Sequence, residues 1–551
     1  MRLACGAELL ANLAGSVPVM NTTASPRVRI APAPSGFLHV GSVRTALYNW
    51  LYARRHNGTF VFRIEDTDAD RATQDSMDSM LEAMDWIGLT VDEGVRDGGP
   101  YGPYRQSERV ALHVAVARRL EEAGFTYRDH RTPDELQAFR DERQAAKLAP
   151  VFKSPAPGEV LGDPANPYVI RFALPSDGAF TLHDLVKGEV TWQWEHESDP
   201  VILRSNGAPT YPLANSVDDC AQGISLVCRG EDLLSVTPRQ VKLYQAMLAE
   251  GLLDDALAEV GLPARDPSWS APAHFAHLSM IVGKDRKKLS KRHGSVSIQE
   301  FERRGFLPGA LRNYLALLGW SPGDGRERLT DAEMIEAFDF ATVGSSAAAF
   351  DEDKLLAFNG ERIREMATAD LAELLLPFLD GTYAPDAVDA DGKPIDGGDP
   401  AWAPLISKPA TEQDRAVVLG LTPLVQERMQ RLCEVQAYAG PFVTQDVLDI
   451  APAAVKKVLG KGRADEVLLA ARGVLAVVAW DAPSIEAALR SLTETLELGF
   501  GKVAQPVRVA VTGSTVSPPL PESVAIMARE VVLARIDATI PIARDAIAGT
   551  D

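Results

Sequence analysis

The sequence predicts an α/β protein in which a parallel β-sheet domain carries an α+β insertion and is followed by a helical region. Residues 27–32 and 59–64 have the apolar, β-branched composition of short buried strands, and apolar residues recur at helical spacing between them. A strand, a helix and a strand within about forty residues form a βαβ unit, whose two strands pair in parallel. Residues 108–212 instead mix a helix with strands punctuated by Pro and Gly, and helical patterns dominate from residue 300 onward.

The composition is that of a soluble globular protein with several domains. The chain has 551 residues, of which 46% are hydrophobic and 24% charged, and no long apolar run predicts a membrane span. The net charge of −20 argues against a small basic nucleic-acid-binding domain, although a local basic face can still bind RNA. Four cysteines without a CxxC pair argue against disulfides and a zinc cluster, so we expect a cytoplasmic protein.

Residues 1–26 are expected to precede the folded domains. Residues 1–20 are mildly apolar with only Arg2 as a basic residue ahead of them, which makes a poor signal peptide. Because Met20 precedes a polar segment that leads into the first strand, a disordered extension or a start codon assigned too early explains these residues better.

The exit from the first strand, residues 31–42 (APAPSGFLHVGS), is a turn that can hold an anion. Two prolines stiffen its backbone, and Gly36 permits a conformation closed to other residues. A helix that starts near Ser42 directs its free N–H groups at the turn, and Gly41 lets a ligand approach. His39 would then donate to a phosphate or a ribose. If the turn is taken alone, a capped turn with a surface histidine explains the same residues.

A second motif, KDRKKLSKRHG at residues 284–294, concentrates positive charge. A charge run is most often a solvated basic loop or a nucleic-acid patch. Here the apolar Leu289 lies among lysines, so the loop can fold over a polyphosphate. Lysine is a mobile point charge that suits phosphates whose charge changes during a reaction.

Together the two motifs resemble the HIGH and KMSKS elements of class I aminoacyl-tRNA synthetases, and the whole chain from residue 27 resembles the bacterial glutamyl-tRNA synthetases. The resemblance implies a Rossmann-like catalytic domain that activates L-glutamate with ATP to glutamyl-adenylate. The glutamyl group is then transferred to the 3′ end of tRNA(Glu). The matching blocks, in the order of the family, are RIAPAPSGFLHVGSVRTALYNWLYARR, FRIEDTDADR, DEGVRDGGPYGPYRQSER, PTYPLANSVDD, RGEDLLSVTPRQ, KKLSKRHG, FLPGALRNYLALLGWS and VAQPVRVAVTGS.

The resemblance also implies the order of the domains and a monomer. Two nucleotide-binding catalytic segments flank the part of the chain that binds the acceptor stem. The expected segments are the extension 1–26, the first catalytic half 27–107, the acceptor-stem-binding insertion 108–212, the second catalytic half 213–280, a tRNA stem-contact domain with the KLSKR loop 281–367, and a helical anticodon-binding region 368–551.

Glutamate carries two carboxylates and one ammonium, so its pocket needs cations and one anion, since a buried unpaired charge is costly. Arg29 and Arg229 match family positions that contact the carboxylates, and an arginine fork fits a carboxylate bidentately. Glu65 matches the family residue that accepts the ammonium. A structural ion pair is the alternative for each of these residues. The resemblance adds Ala31, Tyr211 and Asn215 to the glutamate site.

For ATP, the resemblance implies positioning and charge stabilisation without a protein nucleophile. His39 is assigned to the phosphates, and Lys288 and Lys291 to the β- and γ-phosphates of the leaving group; these are the predicted catalytic residues. Mg²⁺ is expected to accompany ATP, held mainly by phosphate oxygens. The predicted ATP-binding set is Gly36, His39, Gly41, Ser42, Lys288 and Lys291.

The chain departs from the family pattern in two places. Ala33 replaces a serine that in relatives can help to bind the amino acid, so one hydrogen bond of the pocket is lost or replaced by water. Some family members carry a zinc cluster in the insertion, but residues 108–212 contain no cysteine, so we expect no zinc.

Four other functions fit the sequence less well. The glutaminyl enzyme shares the nucleotide motifs, but its anticodon region is built of β-barrels, whereas residues 370–551 have helical patterns. The truncated relative that modifies a tRNA nucleoside lacks an anticodon region. A catalytically dead RNA-binding paralogue would not retain the predicted catalytic residues, and a small-molecule nucleotidyltransferase would leave the C-terminal third unexplained.

Two details of the helical region carry predictions of their own. Arg428, in LVQERMQRL, falls near an arginine that restricts some family members to tRNA(Glu), whereas others also charge tRNA(Gln); Arg431 is a competing candidate.

Residues 499–504 (GFGKVA) fit a dinucleotide motif but follow a predicted helix rather than a strand, so Gly499 is expected to cap that helix at its C-terminus.

Overall fold

The structure, a computed structural model, describes residues 25–34, 36–67, 73–156, 159–289, 297–383, 404–444 and 447–548. The expected extension lies outside these residues except for its last two. The chain divides into two compact units. The first holds the residues up to Gln299 together with Leu311–Asp351, and the second holds Glu300–Ala310 and the residues from Glu352 onward. The second unit thus begins before residue 368, and the functional division of the chain into segments stays a prediction.

The first unit combines strands and helices. Its strands are β1 (Arg27–Ile30), β2 (Thr59–Phe62), β3 (Glu93–Gly94), β4 (Thr126–His130), β5 (Leu161–Gly162), β6 (Val169–Phe172), β7 (Ala179–Asp184), β8 (Gly188–Gln193), β9 (Val201–Leu203), β10 (Leu226–Gly230), β11 (His274–Leu278), β12 (Ile281–Val282) and β13 (Ala348–Ala349). The α-helices up to residue 337 are α1 (Val40–Arg55), α2 (Gln74–Ile87), α3 (Val110–Glu122), α4 (Pro133–Ala145), α5 (Tyr211–Ala221), α6 (Thr237–Leu248), α7 (Leu252–Val260), α8 (Ile298–Arg303), α9 (Pro308–Ala316) and α10 (Asp331–Ala337).

Parallel strands form the centre of the first unit, as the βαβ pattern predicts. β1 pairs in parallel with β2, β2 with β3, and β10 with β11. β1 also lies beside β10, since the Ser225 N–H donates to the Arg27 carbonyl at 2.9 Å. Helix α1 connects β1 to β2 and buries Val43, Leu47 and Leu51 completely, which confirms the helical pattern. The carboxyl ends of these strands therefore face one edge of the unit.

The segment predicted as an insertion contributes to two sheets. β5, β4, β6 and β9 form a mixed sheet of their own, in that order. The antiparallel hairpin of β7 and β8 instead joins the central strands, because β7 pairs in parallel with β11 through Asp184 and Phe275. This pairing carries Asp184 from the insertion to the carboxyl edge of the central sheet.

The described residues of the second unit form helices and no strand, as predicted. Their buried side chains make one core, in which Leu375, Val418, Leu468 and Ile536 have no exposed surface. The α-helices are α11 (Glu352–Glu365), α12 (Thr368–Leu379), α13 (Glu412–Val425), α14 (Gln436–Val443), α15 (Pro452–Ala454, continued by the π-helix Val455–Leu459), α16 (Ala464–Leu475), α17 (Ala482–Leu496), α18 (Phe500–Thr512), α19 (Leu520–Ala525) and α20 (Arg529–Ala548). None of the helices in the described parts of the chain is long and apolar enough to cross a membrane.

The prediction that Gly499 caps α17 is wrong. Glu497 takes the left-handed conformation that ends this helix, with φ at 53°, and its N–H donates to the carbonyls of Glu494 and Thr493. Gly499 has a φ of −66° and precedes α18 as its N-cap. Residues 499–504 therefore form the N-cap and the first residues of α18, and the strand that a dinucleotide motif requires does not precede them.

Replacing Glu497 with glycine should stabilise the second unit. Glycine has no Cβ and adopts a positive φ without strain, so Glu497→Gly is expected to raise the free energy of unfolding by about 0.5–1 kcal/mol. The midpoint of thermal unfolding measures this. Glu494→Gly, inside the same helix, is the control and should lower the midpoint, since an internal glycine costs about 1 kcal/mol. If both variants shifted the thermal midpoint in the same direction, Glu497 would not be the residue that caps α17.

Candidate active site

The residues predicted for glutamate meet at the carboxyl ends of β1, β2 and β10. Arg29 lies on β1 and Arg229 on β10, while Glu65 follows β2 and its N–H donates to the Pro32 carbonyl at 3.0 Å. The charges of Arg229, Glu65 and Arg29 all act on the hydroxyl of Tyr211, so the four side chains share one region. The fold thus brings together residues from four separate sequence blocks.

Arg29 is held from inside the protein. Its Nε and Nη2 donate to the two carboxylate oxygens of Asp219 at 3.1 and 3.2 Å, and its Nη1 donates to the Cys228 carbonyl at 3.3 Å. Only 3% of Arg29 is exposed. Arg29 therefore makes the structural ion pair that was its alternative role. A guanidinium has further N–H groups, and this pair fixes the plane in which they point.

Asp219, on α5, joins two arginines at this edge, and the sequence reasoning did not single it out. Its Oδ1 also accepts from Nη2 of the fully buried Arg63 at 2.7 Å. Burial alone would raise the pKa of Asp219, but the guanidiniums of Arg29 and Arg63 outweigh burial and hold this pKa below its ordinary value. Asp219 is therefore charged. Its only signal in the sequence was its place at the end of the block PTYPLANSVDD.

Glu65 presents one carboxylate oxygen to the protein. Its Oε1 accepts from Arg63 Nη2 at 3.1 Å and from Asn215 Nδ2 at 2.6 Å. Gln240 Nε2 donates to Asn215 Oδ1 at 2.9 Å, which fixes the orientation of the Asn215 amide. Burial raises the pKa of Glu65, and Arg63 and Asn215 oppose that rise. Among the described residues no donor reaches Oε2, so this oxygen can accept from a ligand.

Arg229 is almost completely buried, and most of its donors are occupied. Its Nε donates to Nε2 of His277 at 3.1 Å and its Nη2 to the hydroxyl of Thr237 at 2.9 Å. Its Nη1 donates over a longer distance, 3.4 Å, to the hydroxyl of Tyr211. Burial raises the pKa of Tyr211, so this hydroxyl stays protonated. His277 belongs to no motif that the sequence analysis used, and Thr237 lies in the block RGEDLLSVTPRQ but was given no role there.

The predicted phosphate turn has a defined donor. Helix α1 begins at Val40, before the predicted Ser42, because Nδ1 of His39 accepts from the Gly41 N–H at 3.2 Å and caps the helix. A backbone N–H can only donate, so Nδ1 is unprotonated and Nε2 carries the proton of the neutral ring. Burial, with the nearby charge of Lys288, lowers the pKa of His39 and keeps the ring neutral.

The turn itself fits the predicted role of its glycines. Gly36 has a φ of 142°, which confirms that its conformation is closed to other residues. A Cβ on Gly41 would meet only the His39 side chain, at 3.6 Å, so the backbone there is open to a ligand. Ala31 is half-buried directly after β1, and Ala33 is exposed.

The lysine loop returns to this turn. Lys288 forms a β-bridge with Val282, and Leu289 is buried and donates its N–H to the Ile281 carbonyl at 3.0 Å. Lys291 lies outside the described residues. Where the description resumes, Ser297 forms a β-bridge with His39. The residues described directly before and after 290–296 are therefore both paired, and Lys288 lies close enough for its charge to act on His39, so the two motifs are adjacent, as the sequence predicts.

The donor set around His39 suits a nucleotide that brings its own metal ion. Within the described ranges, no group of three or more histidine, cysteine or acidic side chains could hold a metal. Phosphate oxygens are hard ligands that bind Mg²⁺ well without a dedicated protein cage. Imidazole and ammonium donors beside such phosphates would add positive charge and hydrogen bonds to them.

In the second unit, the two arginines predicted for tRNA choice differ in their surroundings. Arg428 ends the 3₁₀ helix Gln426–Arg428 and is exposed. Burial lowers the pKa of Arg508, and the nearby charge of Arg428 lowers it further. Arg431 is half-buried, and its Nε donates to Glu434 Oε1 at 3.2 Å. Arg428 is thus the more accessible cation of the two.

Comparison with known proteins identifies relatives over nearly the whole chain. The family model for the catalytic domain of class I tRNA synthetases (E and Q) matches residues 26–252 and 268–357, and the model for an anticodon binding domain matches residues 370–540. Glutamate–tRNA ligases of Saccharopolyspora erythraea and Streptomyces coelicolor are each 39% identical to this chain. Each alignment covers 93% of this chain, with 95% of the first relative and 97% of the second.

Solved structures agree with these relatives. A glutamate tRNA ligase from Elizabethkingia meningosepticum, crystallised in complex with its amino acid, superposes with a TM-score of 0.75 at 29% identity, covering 94% of this chain and 99% of that one. Glutamate-tRNA synthetase from Elizabethkingia anophelis gives a TM-score of 0.73 at 29% identity, covering 94% and 100% of the two chains.

Removing the charge of Asp219 should destabilise the first unit. Asp219→Asn keeps the shape but leaves two buried guanidiniums facing a neutral amide, and breaking a buried ion pair costs about 3 kcal/mol or more. Urea or thermal unfolding of the full chain measures the loss. The matched control is Asp85→Asn, which breaks the exposed pair with Arg96 and should cost less than about 1 kcal/mol. Equal losses for the two variants would contradict the role given to Asp219.

Proposed function

The chain belongs to the class I aminoacyl-tRNA synthetases and is a glutamate–tRNA ligase, and from this premise we propose that L-glutamate binds beside Tyr211, next to an ATP site at the His39 turn. The charge pattern of the pocket carries the proposal. One carboxylate with an oxygen left for a ligand, Glu65, shares the site with two guanidiniums, Arg29 and Arg229, while Asp219 pairs with Arg29 from the side of the core. This pattern complements an amino acid that has one ammonium and two carboxylates.

The same pattern selects against glutamine. In our assignment, Oε2 of Glu65 accepts from the substrate ammonium, and Arg29 and Arg229 donate to the two carboxylates. A glutamine amide in place of the side-chain carboxylate would remove a negative charge from beside a buried guanidinium and turn an N–H group towards its N–H donors, and such a mismatch rejects a substrate strongly. Ala31 contributes backbone to the pocket, and Asn215 holds the carboxylate of Glu65 in place.

The reaction requires positioning and charge stabilisation rather than a protein nucleophile. An oxygen of the substrate carboxylate bonds to the α-phosphorus of ATP, and the bond from that phosphorus to the pyrophosphate oxygen breaks. His39 donates from Nε2 to the phosphates, while Lys288 and Lys291 balance the charge that develops on the leaving pyrophosphate. Mg²⁺ bound to the phosphate oxygens adds further positive charge. A ribose hydroxyl at the 3′ end of the tRNA then attacks the carbonyl carbon, and AMP leaves.

The substrate assignment is tested by ATP–pyrophosphate exchange with each amino acid, with and without tRNA. We expect exchange with glutamate and none with glutamine. Exchange driven by glutamine in place of glutamate would overturn the proposal for the pocket. Chelation of divalent cations should stop the exchange, and removal of zinc alone should leave it unchanged, since we propose that the enzyme works without zinc.

The two roles of His39 can be separated by one substitution. His39→Asn retains an oxygen that can accept from the Gly41 N–H, because asparagine is a good N-cap, but loses the donor at Nε2. We expect the thermal midpoint to be nearly unchanged and adenylate formation to slow by about 10²-fold or more. His39→Ala, the comparison variant, should lose the cap as well, at a cost of about 1 kcal/mol. A normal rate for His39→Asn would remove His39 from the catalytic group.

For the tRNA, we propose that the helical second unit binds the anticodon arm of tRNA(Glu) and that Arg428 excludes tRNA(Gln). The exposed position of Arg428 and the ion pair of Arg431 with Glu434 support this choice. We further propose a cytoplasmic monomer, as is usual for the family. Light scattering of the pure protein tests the oligomeric state.

Charging assays with the two purified transcripts test the choice of tRNA. The wild-type protein should charge tRNA(Glu) at least tenfold faster than tRNA(Gln), about 1.4 kcal/mol of discrimination. Arg428→Ala should bring the two charging rates closer together without changing the rate of ATP–pyrophosphate exchange in the presence of tRNA(Glu). Arg431→Ala is the matched control and should leave the difference intact. Equal charging of both tRNAs by the wild-type protein would show that Arg428 does not discriminate.

A further inference from the structure

Behind Arg229, polar side chains continue across neighbouring strands. Arg229 on β10 and His277 on β11 are partners in the parallel register, and Asp184 at the end of β7 pairs with β11 at Phe275. Arg229 Nε lies 3.1 Å from His277 Nε2, and His277 Nδ1 lies 2.6 Å from Asp184 Oδ2. The side chains of His277 and Asp184 have no exposed surface. The chain of contacts therefore runs from the insertion to the glutamate pocket without contact with solvent.

The contacts of Arg229 determine the tautomer of His277. A guanidinium Nε–H can only donate, so Nε2 of His277 must be the unprotonated acceptor. The ring proton is then on Nδ1, where it is donated to the carboxylate of Asp184. A second proton on His277 would place an N–H directly against the N–H of Arg229. His277 is therefore a neutral ring with one permitted tautomer.

Asp184 is itself fixed by the backbone. Its Oδ1 accepts from the N–H groups of Val186 and Lys187 at 2.9 and 2.8 Å, and its Oδ2 accepts from the His277 N–H at 3.1 Å. Burial alone would raise the pKa of Asp184, but its hydrogen bonds with His277 and the backbone outweigh burial and lower it. The carboxylate thus stays charged and cannot turn away from the imidazole.

Thr237 completes the support of Arg229. Its hydroxyl accepts from Arg229 Nη2 at 2.9 Å and lies 3.1 Å from His277 Nε2. The Leu233 carbonyl also accepts from Nη2, at 3.3 Å. Nε and Nη2 are thereby occupied from behind, and Nη1 is the nitrogen directed towards Tyr211 and the pocket.

We propose that His277, held in one tautomer by Asp184, is a positioning residue that sets the orientation of Arg229 for the substrate carboxylate. This inference rests on the proposed role of Arg229 in glutamate binding. A long arginine side chain loses rotational freedom when it binds a carboxylate in the plane of its fork. A partner that fixes the plane beforehand removes that loss from the binding step, so glutamate binds more tightly.

A pair of substitutions distinguishes this role from support of the fold. His277→Gln places an amide near the position of Nε2 and can still accept from Arg229. His277→Asn places its amide near Nδ1, so it can still donate to Asp184 but loses contact with Arg229. We expect His277→Asn to raise the KM for glutamate by about tenfold or more, as for a lost hydrogen bond to a charged group, and His277→Gln to raise it less.

The measurement is ATP–pyrophosphate exchange by the full chain in the presence of tRNA, with the KM for ATP determined for each variant. The KM for ATP should stay unchanged, because His277 contacts no residue of the nucleotide motifs among the described residues. If His277 only supported the fold through Asp184, His277→Gln would raise the KM for glutamate more than His277→Asn, because asparagine keeps the hydrogen bond to Asp184. An unchanged KM for glutamate in His277→Asn, or the reversed order, would overturn the inference.

Two further variants complete the experiment. His113→Asn is the matched control: His113 is fully buried and bonded to Asp218 at 3.0 Å but does not contact Arg229, so the KM for glutamate should not change. Arg229→Gln tests the premise. If Arg229→Gln leaves the KM for glutamate unchanged, the proposed site fails; if it raises the KM and His277→Asn does not, only the role of His277 fails.

Thr237→Val provides a separate test if His277→Asn does not fold. Thr237→Val has nearly the same shape but removes the hydroxyl that Arg229 Nη2 and His277 Nε2 share. Loss of this support predicts a several-fold higher KM for glutamate with an unchanged KM for ATP, in the range of a neutral hydrogen bond. An unchanged KM for glutamate would again contradict the positioning of Arg229 from behind.

Discussion

A carboxylate buried between two guanidiniums is the interaction on which the pocket depends. Asp219 links Arg29 on β1 and Arg63 after β2 to helix α5, so one side chain joins three elements that are far apart in the sequence. Two arginines cannot be buried side by side without such a counter-charge. Arg29 can therefore be buried beside Arg63 at the edge of the proposed pocket because Asp219 balances both guanidiniums from the side of the core.

The two halves of the proposed site are built differently. The amino-acid half rests on strands and on α5, and each of its polar side chains has a partner behind it, such as Asn215 behind Glu65 and His277 behind Arg229. The half proposed for the nucleotide consists of the His39 turn and the lysine loop, where the described residues Leu289 and Ser297 are paired with Ile281 and His39. Side chains on strands and helices are held more precisely than side chains on loops, which suits discrimination between similar amino acids.

The sequence predicted the elements and the meeting of the motifs better than the connections between side chains. The βαβ unit and the helical second unit followed from periodicity, and they are confirmed because burial of one face dictates that period. Asp219 and His277 were missed, since no local pattern tells which of two adjacent aspartates faces a buried arginine on another strand. Glu497 shows a different limit: helices usually end at glycine, but here a glutamate adopts the left-handed conformation before Gly499 is reached.

The cap formed by His39 has a consequence for how the turn can respond to an anion. The imidazole and the Gly41 N–H are tied to each other, so a rotation that takes Nδ1 away from the backbone also releases a backbone donor into the same space. When the Nε2–H of the ring moves away, the N–H of Gly41 becomes free to donate. An anion beside α1 therefore meets an N–H group whether the imidazole is bonded to the backbone or rotated away from it.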